Sequence, residues 1–151
     1  MLLTDLLAPD RVVVPLAADD RRSAIAALTR RLADIADADY EDVLGAVLER
    51  ESVLSTGIGF GVAIPHARSA AVRELTVVAG VTPWPVPFEA LDGEPVRLLF
   101  LIVGPEASAG QHVKILSRIA RLVRREPVRQ QLVEAADADA FVNTILDAEA
   151  R

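Results

Sequence analysis

The sequence predicts an α/β fold, a mixed and mainly parallel β-sheet with helices on both faces. Helical and strand patterns alternate through the first two-thirds of the chain, and helical patterns dominate the end. Apolar residues make up 52% of the chain but aromatic residues only 4%, so the core must be built from Leu, Val, Ile and Ala. Because 151 residues suffice for one core, we expect a single domain over residues 1–151.

Hydrophobic periodicity locates the individual elements. Strand patterns lie at residues 11–15, 75–81 and 95–104. Helical patterns lie at residues 1–8, 20–35, 40–51, 109–125, 127–136 and 137–146. The segment at 95–104 is nearly continuously apolar, which is typical of a strand covered on both faces. The prolines at 83, 85 and 87 cannot donate backbone hydrogen bonds, so we expect the preceding strand to end before them.

Side chains that can cap helices precede most of these patterns. Asp19 or Asp20 can cap the second helix, and Asp39 can cap the third. Ser108 and Gln111 have the spacing of a capping box, which predicts a helix start near residue 109. Asp137 or Asp139 can cap the last helix.

The composition excludes several classes of function. A net charge of −6 and the lack of a basic tail argue against nucleic-acid binding. The absence of cysteine removes thiol catalysis, disulfides and cysteine-based zinc sites, and is compatible with a reducing cytoplasm. An acidic residue stands where a signal peptide would be basic, and no apolar run is long enough to cross a bilayer. We expect a cytoplasmic protein without direct membrane insertion.

The segment at residues 55–68 is the most promising place for chemistry. Gly57, Gly59 and Gly61 alternate there, so the segment matches neither the dinucleotide fingerprint nor the P-loop. Alternating glycines can leave backbone amides free to face an anion. The alternative is a tight connection without a ligand.

Two histidines are available for a site. His66 follows Pro65, which holds it in a rigid turn, and a largely neutral imidazole can attack phosphorus or accept a proton. The alternative is a hydrogen-bonding loop histidine. His112 lies on the apolar side of its helix, either as a core histidine or because a site lies there. Two histidines without further ligands do not make a metal site, so no metal is expected.

Arg50 and Arg68 can supply positive charge near His66. Arg50 ends a helical pattern and Arg68 follows the histidine by two residues. Taken singly, each can be a favourable helix-end charge or a solvated loop charge. Together with a neutral histidine and loop amides, they suit phosphoryl transfer, in which catalysis consists mostly of positioning and neutralising oxygen charge.

These residues make the chain similar to the fructose/mannitol-type enzyme IIA family of the bacterial phosphotransferase system, including its nitrogen-regulatory branch. The resemblance covers nearly the whole chain and rests on Arg50-Glu51, on residues 55–66 (Ser-Thr-Gly-Ile-Gly-Phe-Gly-Val-Ala-Ile-Pro-His), on residues 87–96 and on residues 112–116. Phe60 and Val113 depart from the usual residues, and neither change touches the implied chemistry.

The resemblance implies roles for the site residues. His66 matches the phosphorylated histidine, His112 the second histidine that orients the phosphoryl group, and Arg50 the arginine that neutralises its oxygens. The implied phosphoryl-binding loop consists of Ser55, Thr56, Gly57, Gly59, Gly61 and, at a less constant position, Arg68. No cofactor is implied.

The same resemblance implies the partners. The protein would be a phosphoryl carrier rather than a conventional turnover enzyme, with an HPr-like phosphocarrier or a nitrogen-branch counterpart as donor. A regulatory protein acting on target proteins is favoured. A sugar-transport subunit that passes the phosphoryl group to a separate enzyme IIB is the alternative, and a binding domain with an inactive site is a third reading.

Overall fold

The computed structural model describes residues 1–150, and residue 151, the last of the predicted domain, lies outside them. The described chain contains five α-helices: α1 Arg21–Ala36, α2 Tyr40–Val53, α3 Ala109–Arg124, α4 Glu126–Val133 and α5 Ala138–Glu149. It contains six strands: β1 Val12–Val13, β2 Gly57–Gly59, β3 Val62–Ala63, β4 His66–Arg68, β5 Thr76–Val86 and β6 Val96–Gly104. None of these helices combines the length and the apolar character needed to span a membrane.

The six strands form one mixed sheet in the order β1-β5-β6-β3-β2, with β4 also paired to β6. β1 runs parallel to β5, and β3 and β4 run parallel to β6. The long β5–β6 pair and the short β2–β3 hairpin are antiparallel. The predicted α/β class with a mixed sheet is confirmed, with the longest ladder antiparallel.

Helices cover both faces of this sheet, as predicted. Leu98, Phe100 and Ile102 of β6 belong to the core shared with α3, α4 and α5. The intervening Leu99 and Leu101 belong to the core shared with α1 and α2. Because side chains alternate along a strand, the apolar β6 sequence supplies both cores at once.

The N-terminal segment differs from the predicted helix at residues 1–8. It forms a 3-10 turn at Leu3–Asp5, and β1 is only two residues long. The carboxylate of Glu149 in α5 accepts hydrogen bonds from the Leu3 and Thr4 amides at 2.7 and 3.0 Å. This tertiary anchor satisfies amides that a first helical turn would leave free, and it fixes the N-terminal turn against α5.

β5 continues to Val86, past Pro83 and Pro85, two of the three prolines that were expected to end it. The register shifts between Val81, opposite Leu98, and Val86, opposite Val96. Four residues of β5 and one of β6 lie between these two pairs, so the regular ladder is interrupted where Pro83 and Pro85 could not donate a backbone hydrogen bond. The Thr82 carbonyl instead accepts a bond from Arg97 Nε at 3.0 Å.

The predicted caps are partly confirmed. Asp20 and Asp137 accept the Ser23 and Ala140 amides at 2.7 and 2.8 Å. Asp39 occupies the N-cap position of α2 without a side-chain cap bond. Ser108 makes no such bond either, because a 3-10 turn at Glu106–Ser108 leads directly into α3 at Ala109.

Candidate functional site

The sheet topology brings the two histidines together. His66 of β4 lies opposite Ile102 of β6, close to the carboxyl end of that strand. The chain leaves β6 at Gly104 and enters α3 at Ala109, so His112 follows within the first turn or so of α3. The rings of His66 and His112 meet edge to face, with centroids 5.5 Å apart and an interplanar angle of 69°.

The His66 ring has a defined tautomer. Its Nδ1 lies 2.8 Å from the backbone carbonyl oxygen of Ile64. A carbonyl can only accept, so Nδ1 must carry the proton and donate it. When the ring is neutral, Nε2 therefore holds the free lone pair, and His66 is oriented as an Nε2 nucleophile or base.

Burial keeps the His66 ring neutral. Desolvation is the largest cause that lowers its pKa below the usual 6.5, and the positive charges of Arg50 and Arg68 act in the same direction. The bond to Ile64 and the negative charge of Glu51 act in the opposite direction, but the net shift is downward. The Nε2 lone pair is thus available at neutral pH.

His112 is buried on α3 with only 5% of its surface exposed. It shares the buried side of the helix with Ile115 and Ile119, as the periodicity predicted. Desolvation lowers the pKa of His112 to about 4, with further contributions from His66 and Arg68. The neutral ring can donate one hydrogen bond to a group bound beside His66, or accept one from it.

The two predicted arginines approach from different elements. Arg50 lies in the last turn of α2, where its Nη1 donates to the Leu54 carbonyl at 2.9 Å. Arg68 follows His66 on the same strand, and its Nη1 lies 3.2 Å from Glu106 Oε2. Both arginine contacts are with exposed groups, which a bound anion can replace at little cost.

One open cavity of about 540 Å³ joins these side chains. It is lined by Ala46, Glu49, Arg50, Val53, His66, Ala67, Arg68, His112, Val113 and Leu116. Two guanidinium groups and two neutral imidazoles thus face one space together with apolar side chains. Such a lining suits a small, doubly charged anion such as a phosphoryl group. The apolar side chains suit contact with the surface of a protein that delivers this group.

The structure places the predicted glycine loop differently. Of its six members only Arg68 lines the cavity; the other five do not. Gly57–Gly59 pairs with Val62–Ala63 in a hairpin whose turn residues, Phe60 and Gly61, both have positive φ, as a type I′ turn requires. Gly57 is packed so closely that an added Cβ would come within 2.8 Å of the Ala90 Cβ.

The remaining loop residues bond within the protein. The Gly57 amide donates to Ser55 Oγ at 3.1 Å, and Ser55 Oγ in turn donates to the Phe88 carbonyl at 2.5 Å. Thr56 donates through both its amide and its hydroxyl to Glu51. The Thr56 carbonyl accepts the Ile64 amide at 3.0 Å, so the loop is also joined to the segment that leads into β4.

Glu51 is a buried residue beside the site, and sequence reasoning assigned it no role. Its side chain is only 4% exposed, and it is the residue next to Arg50. The available signal was its position, four residues after the buried Val47 on the apolar side of α2, where a carboxylate needs a partner. Within residues 1–150, no cluster of three or more His, Cys, Asp or Glu side chains is arranged to hold a metal ion.

This α/β protein thus presents an oriented imidazole, paired with a second histidine, in a cavity flanked by two arginines. Residues 5–148 match the family model described as phosphoenolpyruvate-dependent sugar phosphotransferase system, EIIA 2. The chain belongs to this family, which confirms the resemblance found from the motif.

Relatives from both branches of the family are similar to this chain. A nitrogen regulatory protein of Bradyrhizobium diazoefficiens is 32% identical over 145 residues, which cover 96% of this chain and 95% of that protein. A fructose-specific EIIA component of Haloferax volcanii is 42% identical over 97 residues, which cover 64% of this chain and 63% of that protein. The crystal structure of the nitrogen regulatory protein IIA-Ntr from Neisseria meningitidis superposes with a TM-score of 0.88 at 30% identity, covering 93% of this chain and 97% of that one.

Proposed function

We propose that the protein is a phosphohistidine carrier that accepts a phosphoryl group on Nε2 of His66. The donor is the phosphohistidine of an HPr-like carrier or of its nitrogen-branch counterpart. The single observation that carries the proposal is the 2.8 Å contact between His66 Nδ1 and the Ile64 carbonyl, because it leaves Nε2 unprotonated in a cavity flanked by arginines.

The transfer step is a direct exchange of one P–N bond for another. The Nε2 lone pair of His66 forms the new bond to phosphorus, while the electron pair of the breaking bond returns to the donor histidine ring. The Nδ1 proton stays on its bond to the Ile64 carbonyl, which stabilises the positive charge that develops on the His66 ring.

The other three side chains act on the phosphoryl oxygens. Arg50 and Arg68 neutralise the charge on the phosphoryl oxygens in the transition state. Catalysis of phosphoryl transfer consists mostly of such positioning and electrostatic stabilisation. His112 contributes a neutral ring at the edge of His66, which can donate one N–H to the group without attracting a proton itself.

Of the two candidate roles for the phosphorylated protein, a regulatory role acting on target proteins is favoured. It is supported by the nitrogen regulatory relative, which matches almost end to end. Transfer to a separate enzyme IIB is the second candidate, favoured by the higher identity to the fructose-specific EIIA component over a shorter stretch. The proposal includes a cytoplasmic location shared with the donor, as the sequence resemblance implies.

The test of the carrier function is incubation with phosphorylated HPr, followed by a search for an acid-labile adduct. We expect labelling of the wild type, none of His66→Ala, and reduced labelling of His112→Ala. Equal labelling of His66→Ala and wild type would refute the assignment. If His112→Ala lost more labelling than His66→Ala, His112 would be the phosphoryl acceptor and His66 the orienting residue.

The destination is tested with the labelled protein. It is mixed with a purified fructose-type enzyme IIB, and loss of label from His66 is followed with time. Retention of the label supports the regulatory role, whereas rapid transfer to enzyme IIB supports the transport alternative.

A further inference from the structure

Glu51 is an ionisable residue buried beside the site without touching the cavity. Its Oε2 accepts the Thr56 amide at 2.8 Å, its Oε1 accepts the Thr56 hydroxyl at 2.5 Å, and Arg21 Nη1 lies 3.7 Å away. Burying a carboxylate is costly unless it is paired and hydrogen-bonded. These contacts meet that requirement, and they also connect the end of α2 to the segment before β2.

The hydrogen bonds continue from Thr56 to the active-site ring. The Thr56 carbonyl accepts the Ile64 amide at 3.0 Å, and the Ile64 carbonyl accepts from His66 Nδ1 at 2.8 Å. A continuous chain of hydrogen bonds therefore runs from the Glu51 carboxylate through two backbone segments to the imidazole. The N–H and C=O groups of Thr56, like those of Ile64, belong to different peptide groups, so these bonds act by holding the segments in place, and they fix the Ile64 carbonyl that accepts from His66.

We propose that Glu51 is a positioning residue for phosphoryl transfer, which acts through Thr56 and Ile64 to hold the His66 ring in its Nδ1-protonated form. This inference rests on the proposed function of His66 as the phosphoryl acceptor. Because Glu51 follows Arg50 on α2, the same carboxylate also ties the arginine's helix end to the histidine's strand. Fixing two reacting groups relative to each other is a major source of rate enhancement.

The electrostatic effect of Glu51 on His66 supports the same role. The negative charge of Glu51 raises the pKa of His66, against the lowering by desolvation and by Arg50 and Arg68. Removing the charge should therefore lower the pKa of His66 further. Weakening the Thr56 contacts should also loosen the Ile64 carbonyl and so weaken the preference for a proton on Nδ1.

The chain contains a matched control for this carboxylate. Glu149 of α5, with 2% of its side chain exposed, accepts the Thr4 amide at 3.0 Å and the Thr4 hydroxyl at 2.9 Å, and lies 3.4 Å from Arg118. Glu51 and Glu149 thus hold the same kind of backbone, hydroxyl and arginine partners. Glu149 lies in the N-terminal anchor rather than in the chain of bonds that ends at His66.

The experiment compares Glu51→Gln with Glu149→Gln. Single-turnover transfer from phosphorylated HPr is measured at saturating donor, and imidazole ¹⁵N chemical shifts report the tautomer and pKa of His66. For Glu51→Gln we expect a rate lower by about tenfold, by analogy with the effect of removing the hydrogen-bonding partner that orients a metal-ligating histidine. We also expect a lower pKa and a smaller Nδ1-protonated fraction, with none of these changes in Glu149→Gln. Thr56→Val should also slow phosphoryl transfer, but by less than Glu51→Gln. Thr56→Ser keeps the hydroxyl and should transfer at the wild-type rate.

The outcomes separate this inference from the carrier function. Equal rates and equal His66 tautomers in the two glutamine variants, after thermal unfolding shows similar stability, would overturn the role of Glu51. If the wild type accepts no phosphoryl group but the His66 tautomer shifts only in Glu51→Gln, the carrier function fails while the positioning of His66 by Glu51 stands. An unchanged tautomer in Glu51→Gln refutes the positioning role whatever the labelling result.

Discussion

The rings of His66 and His112 lie edge to face, 5.5 Å between centroids, with the positive charge of Arg68 acting on both. Each ring is desolvated, and the pKa of each is lowered from its usual 6.5. A second positive charge in this pair would be repelled by the first. The pair is therefore neutral at neutral pH, which gives the site a defined response to acid.

The rate of phosphoryl transfer should fall on the acid side only below the usual histidine pKa. Protonation of His66 Nε2 removes the lone pair, and its lowered pKa moves that loss to a pH below 6.5. The measurement is the single-turnover rate between about pH 5 and 8 with a donor phosphorylated beforehand. An acid limb centred above 6.5 would contradict the neutral, desolvated ring.

Stability should also decrease in acid because of the buried His112. Its pKa is 6.5 in the unfolded chain and about 4 in the folded protein, so the unfolded state binds more protons between these values. The stabilisation is complete above 6.5 and is lost as the pH falls towards 4, by on the order of 3 kcal/mol. Urea unfolding across this range checks the slope. In His112→Gln the slope should be smaller, and an unchanged slope would assign it to other groups.

Removal of the Arg50 guanidinium should slow transfer by about 100-fold, the cost of losing one positioned electrostatic group. The exposed Arg22 of α1 provides the control, because Arg22→Ala changes the net charge equally but lies outside the cavity lining. Initial labelling rates at matched ionic strength compare the two. If both variants lose the same amount, Arg50 acts through long-range attraction of the donor rather than at the phosphoryl group. Arg50→Lys should recover only part of the rate, since an ammonium lacks the planar fork.

Two glycine substitutions should shift stability in opposite directions. In Gly57→Ala the new Cβ meets the Ala90 Cβ at 2.8 Å and its Cα at 3.0 Å, so overpacking should cost about 1–3 kcal/mol. In Gly45→Ala the new Cβ meets nothing within 4 Å on exposed α2 surface, so the better helix propensity should add about 1 kcal/mol. Thermal unfolding measures both, and a neutral Gly57→Ala would show that the hairpin adjusts freely.

Local patterns predicted the helices well because a helix face repeats within a few residues. The α2 helix starts at the predicted Tyr40, and α3 starts at the predicted Ala109. The same periodicity placed His112 on the buried side of α3, with Ile115 and Ile119. The Ser108 capping box was wrong because a turn at Glu106–Ser108 already continues into the helix.

Features that depend on a distant partner were not predictable in this way. β5 passes through Pro83 and Pro85 because its register against β6 shifts between Val81 and Val86, and the sequence of β5 alone does not show this shift. The N-terminal turn is anchored by Glu149, which lies at the other end of the chain, so its position also depends on a distant partner.

Motifs and periodicity are local properties of the chain, so they sufficed to indicate the family, the five α-helices and the candidates His66, His112, Arg50 and Arg68. The folded structure was needed to show that the parallel pairing of β4 with β6 sets His66 against His112, and that the three glycines of the loop form a hairpin that does not line the cavity. It also decided that Glu51 connects to the His66 ring. Strand register and hydrogen bonds between segments join residues that are far apart in sequence, so no local pattern specifies them.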